Sequence, residues 1–97
     1  LSAQRKWKIW GKLRIDKNLM SKALSGGLKP ISNDDLMAII FDKVIEVTGE
    51  ELKECEFHEG LIFTIAKCLS DKSSIYAVVN RYNGEVVKVW WRVEEFE

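Results

Sequence analysis

The strongest constraint on the fold lies in residues 61–93, LIFTIAKCLSDKSSIYAVVNRYNGEVVKVWWRV, where three apolar, β-branched and aromatic runs are separated by SDKSS and by Asn83-Gly84. An Asn-Gly pair favours a type I′ corner, whose twist matches that of paired strands, so an antiparallel meander is expected. With Asn83 and Gly84 at the corner, Tyr82 faces Glu85, Asn80 faces Val87, Val78 faces Val89 and Tyr76 faces Trp91. A four-residue connection at 70–73 then sets Leu69 opposite Ser74, Ile65 opposite Val78 and Phe63 opposite Asn80.

Side chains alternate across a strand, so this register assigns faces. One face collects Leu61, Phe63, Ile65, Tyr76, Val78, Val87, Val89, Trp91 and Val93 and is expected to be the buried one. The other carries Ile62, Thr64, Ala66, Cys68, Ile75, Ala77, Val79, Arg81, Val86, Lys88, Trp90 and Arg92. That second set mixes apolar and basic groups.

Upstream, residues 6–16 alternate as in a half-buried strand: Trp7, Ile9, Leu13 and Ile15 point one way, Lys6, Lys8, Trp10, Lys12 and Arg14 the other. Gly11 is expected to mark a bulge or the close approach of a helix. The competing reading is a helix from Ser2 to Lys12. Asp16 and Gly26 bracket a helix of about two turns, with Leu19, Met20, Ala23 and Leu24 at helical spacing. A longer helix starts at Ser32 or Asn33 and stops at Gly49. Its Leu36, Met37, Ile39, Ile40, Phe41, Val44, Ile45 and Val47 leave only Asp42, Lys43 and Glu46 as solvent-facing positions, so it must lie against the sheet. Thr48 with Glu51 reads as a capping box that opens a further short helix. The chain closes on Glu94-Glu95-Phe96-Glu97, read as a loosely tethered acidic end.

These elements predict a single α+β domain over residues 1–97. Its antiparallel sheet has about four strands in β-α-α-β-β-β order, with one long buried helix packed on one face. A chain of 97 residues, 46% apolar and 31% charged, can bury such a core and is not a disordered type. No apolar run reaches the roughly eighteen residues of a membrane span, so no membrane partner is expected. Cys55 and Cys68 are too few for a zinc site or a disulfide framework, and free thiols are expected, with a single Cys55–Cys68 bridge as the other reading. With no leader signature, the expected location is cytoplasmic.

Charge is balanced overall but not along the chain. Residues 1–30 hold eight basic side chains against Asp16, a balance of +7, whereas residues 31–62 hold nine acids against Lys43 and Lys53, a balance of −7. Such asymmetry marks a basic surface for a polyanion or an acidic one for a basic partner, or else opposite charges that meet when the chain folds or across a dimer interface. The cluster Glu50, Glu51, Glu54, Glu56, His58 and Glu59 follows no metal-ligand spacing and is read as solvated charge. No metal or cofactor is expected. With one histidine and no nucleophile motif, the inventory points to binding, not catalysis.

The binding residues expected on the mixed face are Arg81, Lys88, Trp90 and Arg92, joined by Lys6, Lys8, Trp10, Lys12 and Arg14 if the first strand shares the sheet. Cations that hold phosphates beside an indole that stacks on a base suit single-stranded RNA or DNA. Read differently, the same face is an apolar patch for protein–protein docking: a homodimer, an inhibitor or an adaptor that uses the face or a sheet edge. The element order also resembles that of RelE-type ribonuclease toxins, which implies metal-independent RNA cleavage with Arg81, Tyr82, Lys88 and His58 as candidates.

Overall fold

A computed structural model describes the backbone of residues 3–71 and 73–96, and side chains at 6–71 and 73–93. The elements are β1 (Ala3–Gly11), α1 (Lys17–Leu24), α2 (Asn33–Thr48), β2 (Leu52–Glu59), β3 (Phe63–Ser70), β4 (Ser74–Asn80) and β5 (Val86–Phe96). The five strands form one antiparallel sheet in the order β1-β5-β4-β3-β2. The chain is therefore α+β as expected, with one strand more than expected and two helices. Residues 6–11 are strand and not helix; the proposed helix cap, Ser2, lies outside the described residues.

Both helices start where a side-chain oxygen can accept from their first free N–H groups. Asp16 Oδ1 accepts from the amides of Asn18 at 2.9 Å and Leu19 at 3.2 Å, and Ser32 Oγ accepts from that of Asp35 at 3.3 Å. Gly49, at φ 76°, closes α2 in the left-handed conformation that glycine adopts without penalty. Here the expected capping box fails. Thr48 turns its hydroxyl back to the Val44 carbonyl at 2.8 Å and accepts from Glu50 N–H at 3.0 Å, so it ends one helix and does not open another. The segment beyond becomes β2, because Cys55 and Phe57 alternate with Glu54, Glu56 and His58 at period two.

Leu36, Ile40 and Val44 form the fully buried stripe of α2. They pack with Ala66, Cys68, Ile75, Ala77, Val79, Val86 and Val89. Each buried Leu, Ile or Val among them contributes roughly 1.5–3 kcal/mol, an upper figure. The face under α2 is thus largely the one expected to be mixed, and the assignment of β3 and β4 is reversed. The cause is the β4–β5 register, which departs from the expected one at the corner and again at an irregularity beyond it. Asn80 N–H donates to Glu85 O and Gly84 N–H to Asn80 O, both at 2.9 Å, which makes 81–84 a four-residue loop with Gly84 at φ 73°. Two extra loop residues leave the faces unchanged, and Val79 pairs with Val86. An irregularity at Val78/Val79, which skips Val87, then slips the register by one, so that Val78 pairs with Lys88, Tyr76 with Trp90 and Ile75 with Trp91, and β4 exchanges faces relative to β5. The β3–β4 pairs, Leu69 with Ser74, Ile65 with Val78 and Phe63 with Asn80, stand as expected.

Two further corrections follow from pairing. Cys55 and Cys68 lie directly opposite on β2 and β3, Cα to Cα 4.1 Å, and are joined in a disulfide, not free. Disulfides are rare in a reducing cytosol, where thiols are kept free. At the other end, the backbone of residues 94–96 is not a loose tail, because it pairs with residues 3–5 of β1. No helix among the described residues is long and apolar enough to cross a membrane.

Gly11, at φ 76°, ends β1 earlier than the alternation suggests. A Cβ there would run into the backbone carbonyl of Val87, so the close approach is that of the neighbouring strand and not of a helix. Residues 12–16 leave the sheet, and Leu13, Ile15 and Met20 line a cleft with Phe63, Ile65 and Val78 of the face opposite α2.

Candidate functional site

Register sorts the sheet residues into rows. Under α2 run Trp10–Val89–Ala77–Ala66–Phe57 and Lys8–Trp91–Ile75–Cys68–Cys55. On the open side run Ile9–Trp90–Tyr76–Lys67–Glu56 and Lys88–Val78–Ile65–His58. Trp7 pairs with Arg92 and joins the open side too.

Three aromatic rings meet on that open side. Tyr76 and Trp90 stack with centroids 5.3 Å apart and planes 11° from parallel, and Trp7 lies 5.9 Å from Tyr76 at 45°. Lys88 Nζ stands 5.2 Å from the Trp90 centroid, and the Arg92 guanidinium 5.6 Å from that of Trp7. A cation over an indole face is held by the ring quadrupole and keeps its charge exposed. The group therefore combines flat π surfaces with positive charge at their rims.

Of the nine expected binding residues, Lys88, Trp90 and Arg92 are brought together here. Trp10 and Lys8 fall in the rows under α2, where Lys43 Nζ sits 4.8 Å from the Trp10 ring. Lys6 pairs with Val93. Lys12 is exposed just past the end of β1. Arg14 bonds Glu85 at 2.8 Å near the β4–β5 corner.

Arg81 acts as a brace within the fold. Its Nε donates to the buried Thr64 hydroxyl at 2.8 Å, Nη1 to Ile31 O at 3.2 Å, and Nη2 to Asn33 Oδ1 at 2.7 Å and Glu59 Oε1 at 3.0 Å. With a side chain only 12% exposed, it ties β2, β3 and the start of α2 to the β4–β5 corner. Arg81, Tyr82, Lys88 and His58, the candidates of the ribonuclease resemblance, are spread over the brace, the corner loop and two separate strands of the open face.

Tyr76 and Trp7 are the site residues that the sequence reading missed. A size signal marks their side: Ala66 and Ala77 are small enough to let α2 approach the sheet, whereas Tyr76, Lys67 and Trp90 are bulky and tipped with polar atoms. Beside the aromatic group, the cleft under Leu13, Ile15 and Met20 has a volume of about 530 Å³, with His58 among its lining residues. Among the described residues, no three His, Cys, Asp or Glu side chains gather as a metal-binding set. At the end of the β2–β3 hairpin, the Asp71 carboxylate holds the Lys53 ammonium and raises its pKa. Comparison of the chain with family models, curated proteins and solved structures gives no match.

Proposed function

We propose that the chain is a non-catalytic binding module that holds single-stranded nucleic acid on the sheet face opposite α2. The observation that carries this reading is the Trp7–Tyr76–Trp90 group with Lys88 and Arg92 at its rim. Every base has a π face, so an aromatic platform binds strands with little sequence preference, while the cations meet the phosphates. Lys67, opposite Tyr76 in the register, extends the positive strip toward β3. Because the chain has no net charge, affinity rests on this local strip and is expected to fall steeply with salt. The Cys55–Cys68 bridge favours an oxidising compartment over the cytoplasm.

Fluorescence anisotropy with labelled single-stranded RNA and DNA, at low and moderate salt, tests this. Trp90→Ala is expected to weaken binding about 5- to 150-fold, the equivalent of the roughly 1–3 kcal/mol of one base–aromatic stack. Lys88→Ala is expected to reduce the log–log salt slope by about 0.7, one phosphate's worth for a single strand. Absence of saturable binding at low salt removes the reading.

A second reading, docking of another protein, draws on a different observation. Leu13, Ile15, Leu61 and Ile65 around the cleft are between 41% and 78% exposed, more clustered apolar surface than a monomer usually leaves in water. Light scattering that detects a dimer dispersed by Ile65→Lys would favour it.

A further inference from the structure

The charge asymmetry of the sequence takes a definite place in the fold. Strand order puts β1 and β2 at the two free edges of the sheet, four strand spacings or about 19 Å apart. Residues 3–12 bring Arg5, Lys6, Lys8 and Lys12 with no acid, +4. Residues 50–59 bring five glutamates, Glu50, Glu51, Glu54, Glu56 and Glu59, against Lys53, −4. Next to β1, strand β5 adds Lys88 and Arg92 against Glu94 and Glu95, which leaves that sign unchanged. Next to β2, Lys67 faces Glu56 and Arg81 pairs with Glu59, which offsets half of the acidic excess and leaves −2. Opposite charges therefore meet only in part when the sheet forms, and a net positive and a net negative edge stand at its two ends.

We propose that copies of this chain join head to tail, the basic β1 edge of one molecule pairing with the acidic β2 edge of the next. A free edge presents unpaired N–H and C=O groups that can template another strand, and like charges are the usual guard against it. Here the guard depends on sign. Two β1 edges repel, and two β2 edges repel, so both two-fold edge dimers are disfavoured, and the mixed pair alone gains attraction. Direction allows it. Three intervening strands, each antiparallel to the next, make β1 and β2 run the same way, so the mixed contact is a parallel ladder that keeps every α2 on one side. Lengths match, at nine and eight residues. Such a contact is heterologous and does not close on a pair, so assembly continues past the dimer.

Sedimentation velocity tests this on the wild-type chain and two charge-reversed variants, Lys6→Glu/Lys8→Glu/Lys12→Glu and Glu51→Lys/Glu54→Lys/Glu56→Lys. At low salt the wild-type mass should rise with concentration past twice the 11.2 kDa monomer, and at about 0.5 M salt, where screening acts within a few ångströms, it should fall back. Each variant alone carries edges of one sign and should stay monomeric. An equimolar mixture restores opposite edges and should assemble again, which a merely misfolded variant would not do. A wild-type chain that is monomeric at every concentration, an assembly that stops at the dimer, or a mixture of folded variants (checked by circular dichroism) that stays monomeric overturns the proposal.

Discussion

Arg81 shows how a basic residue on a sheet can be structural. Its guanidinium satisfies the Thr64 hydroxyl, which has no exposure to solvent, and holds Glu59, Asn33 and the Ile31 carbonyl in one cluster. A lysine has no planar fork and cannot reach four acceptors at once. Arg81→Lys is therefore expected to cost about 2–4 kcal/mol, since it leaves buried acceptors and a carboxylate without partners. Urea unfolding monitored by tryptophan fluorescence measures it; a loss within 0.5 kcal/mol, the usual scale of surface substitutions, would show that the cluster carries no weight. Gly84 plays a different part in the same corner. At φ 73°, with the Ile39 and Ile31 methyls 3.0 and 3.3 Å from where a Cβ would sit, it meets both a backbone conformation and a space that suit glycine.

Among the elements, those with local signals are legible in the sequence, and those defined by long-range pairing are not. Asp16, Ser32 and Gly49 mark helix ends because a cap is a contact between neighbours. β2 escapes notice because its glutamates follow a threonine and mimic a helix start; only pairing with β3 reveals it. Trp90, Lys88 and Arg92 are found because they alternate within one strand, whereas Tyr76 and Trp7 need the irregularity in the β4–β5 pairing and the neighbour of β1, neither of which the chain states locally. The disulfide follows the same logic: Cys55 and Cys68 become partners only once β2 is a strand. Closing a loop of this size restricts the unfolded chain by about 3 kcal/mol in the chain-entropy picture, so the Cys55→Ala/Cys68→Ala double variant should lose stability of that order in thermal or urea melts. An unchanged midpoint would mean that the bridge is not formed. The helices differ too: α2 buries Leu36, Ile40 and Val44, whereas α1 buries only Ala23.

At the scale of the whole molecule, β5 runs eleven residues and β4 seven, so the β1–β5 pairs from Ala3 with Phe96 to Lys6 with Val93 extend past the rest of the sheet. The result is an elongated body of 55 × 23 × 20 Å. X-ray scattering at high salt should give a radius of gyration near 14.8 Å, not the roughly 12.5 Å of a compact chain of this length. A value at the compact figure would mean that the two-stranded extension folds back.

The Cys55–Cys68 link straddles Gly60 and Leu61, the most exposed large apolar residue among the described residues, at the tip between β2 and β3. A protease that nicks this tip would yield two fragments that travel as one band on a gel run without thiol and part only when reductant is added. The bridge thus acts as a latch across that tip.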